Sequence, residues 1–115
     1  MSLKKVNPAK TSSWKALESH FNEIKNIEIK DFFKNNNRAN DLTIYWDKFT
    51  VDFSKNRLND KTLHLLFNLA KECDLENSIK KQFKGEKINQ TENRAVLHTA
   101  VRASSKEKIF VDDTN

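Results

Sequence analysis

Residues 85–102 read Gly85-Glu86-Lys87-Ile88-Asn89-Gln90-Thr91-Glu92-Asn93-Arg94-Ala95-Val96-Leu97-His98-Thr99-Ala100-Val101-Arg102. Gly85 is the single glycine of a 115-residue chain and follows a helix-like run. Glycine adopts the left-handed backbone that closes many helices, so Gly85 is expected just past the end of the preceding helix. Thr91 is suited to accept a backbone N–H bond and open a new helix, with Glu92 near its positive end. Ala95, Val96, Leu97, Ala100 and Val101 would cover too much of that helix for an open surface. The pattern therefore predicts a helix wedged between other elements.

Upstream of Gly85 the signals are also helical. Asp74 is placed to cap a segment carrying Leu75, Ile79 and Phe83, which Gly85 ends. Before it, Asn59 caps a helix with Asp60 in its first turn and Leu63, Leu66, Phe67 and Ala70 on one face; Leu65 and Leu69 widen that stripe. Earlier still, Leu42-Thr43-Ile44-Tyr45-Trp46 and Phe49-Thr50-Val51-Asp52-Phe53 alternate apolar and polar residues around Asp47-Lys48, which predicts a β-hairpin. A lone hairpin is marginal in water and should rest on helices. Its aromatics Tyr45, Trp46, Phe49 and Phe53 lack a flanking basic stripe, so core packing is favoured over a base-stacking platform.

Lys34–Asp41 reads as a polar, asparagine-rich loop, and Ile27, Ile29, Phe32 and Phe33 as one or two helical turns. At the start, Asn7 caps a helix with Pro8 at its first position, and Trp14, Leu17, Phe21 and Ile24 form its apolar stripe. Downstream, Ala103–Lys108 is a polar connection and Ile109-Phe110-Val111 a short buried strand. The chain stops soon afterwards, which reads as a cut rather than a finish. The expected fold class is α+β, mostly helical with one hairpin.

Composition bounds the function. Charged residues make up 32% of the chain and hydrophobic ones 37%, the latter low for a self-sufficient core. Eight Phe, two Trp and one Tyr nevertheless argue against disorder. The net charge is +5, yet 21 basic residues are interleaved with 16 acidic ones, which argues against a nucleic-acid partner. The one cysteine, Cys73, excludes an intrachain disulfide and reads as a small buried hydrophobe. No apolar run reaches membrane-spanning length, and Met1-Ser2-Leu3-Lys4-Lys5 leads into no apolar signal core, so a cytoplasmic location without membrane partners is expected.

One glycine cannot build a phosphate-cradling loop or a dinucleotide fingerprint. His20, His64 and His98 are dispersed, without a ligand-spaced companion. Glu72 and Asp74 read as a helix end and a cap; Ser12-Ser13 and Ser104-Ser105 as turn or cap serines. Arg94 and Arg102 could reach a phosphate, but pairing with Glu86 or Glu92 is the simpler role. His98 reads as a histidine on a buried helix, hydrogen-bonded to a neighbour.

The block Gly-Glu-Lys-Ile-Asn-x-Thr-Glu-Asn-Arg-Ala-Val-Leu-His-x-Ala-x-Arg, residues 85–102, resembles the N-terminal region of the glucose-6-phosphate isomerase family. So do Asn7-Pro8 with Ser13-Trp14-Lys15-Ala16-Leu17 and His20-Phe21, Val51-Asp52-Phe53-Ser54-Lys55-Asn56-Arg57 (with Phe53 where the family usually has tyrosine), Leu69–Leu75 and Ile109–Asp112. The resemblance implies that residues 1–115 are the first part of a longer enzyme with α/β sugar-isomerase domains. That enzyme would interconvert glucose 6-phosphate and fructose 6-phosphate through an enediolate, without metal or organic cofactor, as a homodimer. The family's phosphate-holding loop, its arginine near the enediolate, its glutamate base and its ring-opening histidine and lysine all lie downstream. Catalytic, cofactor-binding and metal residues are therefore expected to be none here, with sugar phosphate bound elsewhere, and His98 does not inherit the ring-opening role. The alternative is a free-standing, non-catalytic α+β interaction module derived from that segment.

Overall fold

The computed structural model describes residues 3–111, an α+β chain of helices and one antiparallel hairpin. It divides into two compact units, one formed by Ala9–Asn68 and the other by the residues up to Pro8 with those from Leu69 onward.

In the Ala9–Asn68 unit, Pro8–Lys10 leads in as a 3-10 turn and α1 spans Ser12–Ile24. Pro8 opens the 3-10 turn, as expected, and Thr11 caps α1: its Oγ1 accepts from Trp14 N at 3.1 Å, satisfying a first-turn donor that has no partner inside the helix. α1 buries His20 and Ile24, while Phe21 of the expected apolar stripe is exposed. α2 (Ile29–Phe32) supplies the expected extra turn. The expected Lys34–Asp41 loop instead contains a further helical turn, α3 (Arg38–Asp41), whose Arg38 is buried.

Strands β1 (Thr43–Trp46) and β2 (Phe49–Asp52) pair antiparallel, with Ile44 opposite Val51 and Trp46 opposite Phe49. Asp47 in the tight link has φ 49°, the left-handed region that aspartate tolerates better than most residues. The expected core packing of the hairpin aromatics does not occur: Tyr45, Trp46 and Phe49 are exposed, and Phe53 is half-buried. Leu42 at the base is buried and its carbonyl accepts from Phe53 N at 3.0 Å.

Asn59 then starts α4 (Asp60–Glu72) through a reciprocal cap. Its Oδ1 accepts from Thr62 N at 3.0 Å, and Thr62 Oγ1 accepts from Asn59 N at 3.1 Å. Within α4, Leu63, Leu65, Leu69 and Ala70 are half-buried, whereas Leu66 and Phe67 face solvent.

In the other unit, α5 spans Leu75–Phe83. Asp74 precedes it at φ 58° but makes no side-chain cap, its carboxylate accepting from Asn77 Nδ2 at 3.1 Å. Leu75, Ile79 and Phe83, one helical stripe, are exposed. Gly85 ends the helix as expected. At φ 73°, its N–H reaches Gln82 O and Glu86 N reaches Lys81 O, both at 3.1 Å, closing a Schellman motif. A Cβ at Gly85 would lie 2.7 Å from Phe110 O, so the position excludes side chains by contact as well as by conformation.

The expected helix from Thr91 does not form. Asn89 and Arg94 pair as an isolated antiparallel bridge, and Asn89 Oδ1 accepts from Thr91 Oγ1 at 2.8 Å and from Glu92 N at 3.3 Å. These local bonds engage the groups that would have opened a helix, and Asn93 takes φ 52°. Only the 3-10 turn Ala100–Arg102 is helical there. The expected buried strand Ile109–Val111 is also not observed: the three residues form no named strand, and Phe110 is exposed.

Candidate functional site

The most highly constructed feature is the connector between β2 and α4. Asp52 closes it at one end, its Oδ1 accepting from Ser54 N at 2.8 Å. The Ser54 hydroxyl and then its N–H hold the Asp52 carboxyl below its ordinary value. Ser54 is itself fully buried. From there the backbone curls around the guanidinium of Arg38. Nε donates to Ser54 O at 2.8 Å, and the two terminal nitrogens donate to Leu58 O and Asn56 O, each at 2.9 Å. The Phe32 and Phe33 rings lie 4.8 and 5.4 Å from the guanidinium carbon. Arg57 turns outward and donates to Lys25 O at 2.6 Å.

Arg38 is a buried cation stabilised by three carbonyl dipoles and two ring faces. That arrangement fixes a loop and leaves the guanidinium poorly placed to capture a phosphate. The neighbouring cavity, about 280 Å³, points the same way. Asp31, Asp41 and Asp60 line it with Arg38, giving three carboxylates against one engaged guanidinium, a setting that repels anions.

His20 is a second buried polar node. Nε2 faces Thr62 Oγ1 at 2.8 Å and Nδ1 faces Glu23 Oε2 at 3.2 Å. Thr62 Oγ1 in turn donates to Asn59 Oδ1 at 3.0 Å, so the histidine ties α1 to the cap of α4. Lys61 Nζ, 2.6 Å from Glu23 Oε2, and then His20 hold the Glu23 carboxyl below its ordinary value. These groups bond to one another, and Asn59 also lines the cavity beside Arg38. Among the described residues no buried side-chain polar atom lacks a partner, and no cluster of His, Cys, Asp and Glu is arranged to hold a metal ion.

The residues weighed from the sequence are not brought together. His98 lies exposed on a turn rather than on a buried helix, because the helix that would have buried it is absent. Arg94 pairs with Glu92 at 3.4 Å on the surface, the simpler of its two expected roles. Arg102 and His64 are exposed, and Cys73 is half-buried at the end of α4. Glu72 ends α4, its carbonyl accepting from Lys4 Nζ at 3.3 Å. Ser104 and Ser105 are exposed. A cavity of about 300 Å³ is lined by Phe83, Thr99, Ala103, Glu107, Lys108 and Ile109. Arg38 escaped the sequence reading; the adjacent Phe32-Phe33 pair was its one local signal.

The connector and everything after it fall within the match to the family model described as phosphoglucose isomerase, which covers residues 52–115. A glucose-6-phosphate isomerase of Christiangramia forsetii is 50% identical over 114 residues, taking in 98% of this chain and 21% of the relative. One of Buchnera aphidicola subsp. Cinara cedri is 49% identical over 113 residues, taking in 96% of this chain and again 21% of the relative. The chain thus spans about a fifth of the length of these curated relatives.

Proposed function

The chain belongs to the phosphoglucose isomerase family, and from that premise we propose that it is the N-terminal, non-catalytic part of a glucose-6-phosphate isomerase. The whole enzyme would interconvert glucose 6-phosphate and fructose 6-phosphate, moving a proton between C2 and C1 through an enediolate. The ring-opening, base and phosphate-holding groups would come from the remainder of the polypeptide, which also binds the sugar phosphate and completes the α/β domains. The working form would be a cytoplasmic homodimer. No helix among the described residues is long and apolar enough to cross a membrane, which is compatible with that setting.

The observation that carries the reading is the inverted character of the interior. Among the described residues the buried hydrophobic side chains are Ile24 and Leu42, whereas Thr11, His20, Arg38 and Ser54 form the buried polar set. A self-sufficient domain normally buries a contiguous apolar cluster. Here apolar stripes on the hairpin and on α5 stay uncovered, as suits a segment completed by further polypeptide. The task assigned to this segment is architectural: the Arg38 clamp and the His20 tie hold a helical base in one geometry.

The experiment is a blot of a cell extract with an antibody raised against this chain. A band about five times heavier than 13.5 kDa supports the assignment, in keeping with the one-fifth coverage. A band at 13.5 kDa would leave only shared ancestry with the isomerases and favour the free-standing interaction module.

A further inference from the structure

His20 is 2% exposed, so its two ring nitrogens depend on the partners the protein supplies. Nδ1 faces Glu23 Oε2 at 3.2 Å and Nε2 faces Thr62 Oγ1 at 2.8 Å. Each partner restricts what the nitrogen opposite it can be. Lys61 and then His20 hold the Glu23 carboxyl below its ordinary value, so it is an acceptor-only carboxylate wherever an imidazole titrates. Nδ1 must therefore carry a proton whether the ring is charged or neutral.

The Thr62 hydroxyl is the opposite case. Its oxygen accepts from Asn59 N at 3.1 Å, and its single proton has two acceptors in reach: Asn59 Oδ1 at 3.0 Å and, when the ring is neutral, His20 Nε2 at 2.8 Å. The Asn59 amide cannot turn its NH2 group to this position, because Thr62 N already donates to Oδ1 at 3.0 Å.

We infer that His20 and Thr62 form a proton-operated switch on the N-terminal cap of α4. The charged ring donates from Nε2 to Thr62 Oγ1 and leaves the hydroxyl proton on Asn59 Oδ1. When the ring loses a proton to solvent, the proton departs from Nε2, the nitrogen that does not face the carboxylate. The hydroxyl then rotates about its C–O bond and donates to the bare Nε2, and Asn59 Oδ1 keeps the bond from Thr62 N. No heavy atom has to move. The ring is satisfied in both states, while the cap holds one bond fewer in the neutral one. The charged group facing the ring from α1 is Glu23; from α4 it is Lys61, joined to Glu23 at 2.6 Å. Neither changes its charge in the switch. All of these residues lie in the Ala9–Asn68 unit, so the inference is independent of the proposed function.

The test is a pH titration by NMR of the 115-residue chain carrying His64→Gln and His98→Gln, two exposed positions, which leaves His20 as its one histidine. Long-range proton–nitrogen correlations report which ring nitrogen is protonated. At the basic end Nδ1–H with a bare Nε2 is expected, the reverse of the tautomer that free histidine favours. The backbone amide of Thr62 should shift with the same midpoint as the ring. Thr62→Val keeps the side-chain shape without the hydroxyl; it should retain the Nδ1–H tautomer and at least halve the pH-dependent shift of the amide at position 62. Glu23→Ala, a surface change, removes the acceptor-only partner and should move the neutral proton to Nε2, again at least halving that shift. Should Thr62→Val lose its fold, Glu23→Ala carries the same test.

A neutral ring protonated at Nε2 in the parent would overturn the switch, as would a ring that titrates like free histidine because the tie is not held. A shift at position 62 undiminished in Thr62→Val, or in Glu23→Ala, would trace the coupling to ring charge acting through space and refute the hydroxyl reversal.

Discussion

Asp52–Asn59 and Asn89–Ala103 both join elements within the region matched by the isomerase family model, and both are largely without helix or strand. They are built on opposite principles. The first wraps three carbonyls around one buried guanidinium and ends in a reciprocal cap, so contacts from residues 16 to 20 positions away determine its path. The second is shaped mainly by near neighbours: the Asn89–Arg94 bridge, the Asn89 side chain on Thr91 and Glu92, and one longer reach, Gln90 Nε2 to Leu3 O at 3.1 Å. Its apolar residues remain half-buried or, at Val101, exposed. A connector becomes rigidly specified when a distant side chain organises it; a locally bonded one leaves its apolar groups for something else to cover.

If that contrast is right, the largest loss of stability comes from Arg38→Met. It would leave the buried Ser54 carbonyl without this donor and take one bond from the carbonyls of Asn56 and Leu58, and should cost about 3 kcal/mol, read as a lower urea midpoint at unchanged slope. Arg38→Lys keeps the charge but not the planar fork, and should recover only part of the loss. Gly85→Ala comes next. The left-handed backbone costs an L-residue about 1–2 kcal/mol, and the new methyl meets Phe110 O. His20→Leu follows at about 1 kcal/mol, since Thr62 keeps its bond to Asn59 when the ring is gone.

Glu23 gives a pH signature rather than a large energy. Its native carboxyl is held below the unfolded value by Lys61 and His20. The stabilisation is therefore complete above the unfolded pKa and disappears as pH falls through the lowered native one. Glu23→Gln should flatten that acid limb of a denaturation-against-pH curve, with the change confined to the acidic side. The smallest effect belongs to the locally bonded stretch: Val101→Ser should lie within about 0.5 kcal/mol of wild type. A loss at Val101 as large as that at Arg38 would break the comparison.

The same contrast explains what the sequence disclosed. Asn59 as a cap, the 43–52 hairpin and Gly85 as a helix stop were legible because each depends on residues within a few positions of one another. Arg38 was not, since its partners lie on a loop far along the chain and its own surroundings, Asn35-Asn36-Asn37, read as coil. The missing helix at Thr91 is a different failure. Its apolar spacing was helical, but Asn89 offered the backbone a local alternative and Asn93 left the helical region. Hairpin exposure was unreadable for a third reason: alternation tells which face is packed and is silent on which molecule or segment packs it. For the candidate site, the sequence reading named no catalytic residue, while the structure ties Arg38 to the carbonyls of Ser54, Asn56 and Leu58 and His20 to Thr62 and Glu23.

On the proposed function, this segment would supply architecture and no chemistry. The direct measurement is isomerisation by the purified 115-residue chain, with glucose 6-phosphate supplied at saturating concentration and fructose 6-phosphate followed by proton NMR over hours. Conversion is expected to be no faster than in buffer alone. Conversion proportional to the concentration of the chain, and abolished when it is denatured, would contradict it and place a catalytic set among these residues.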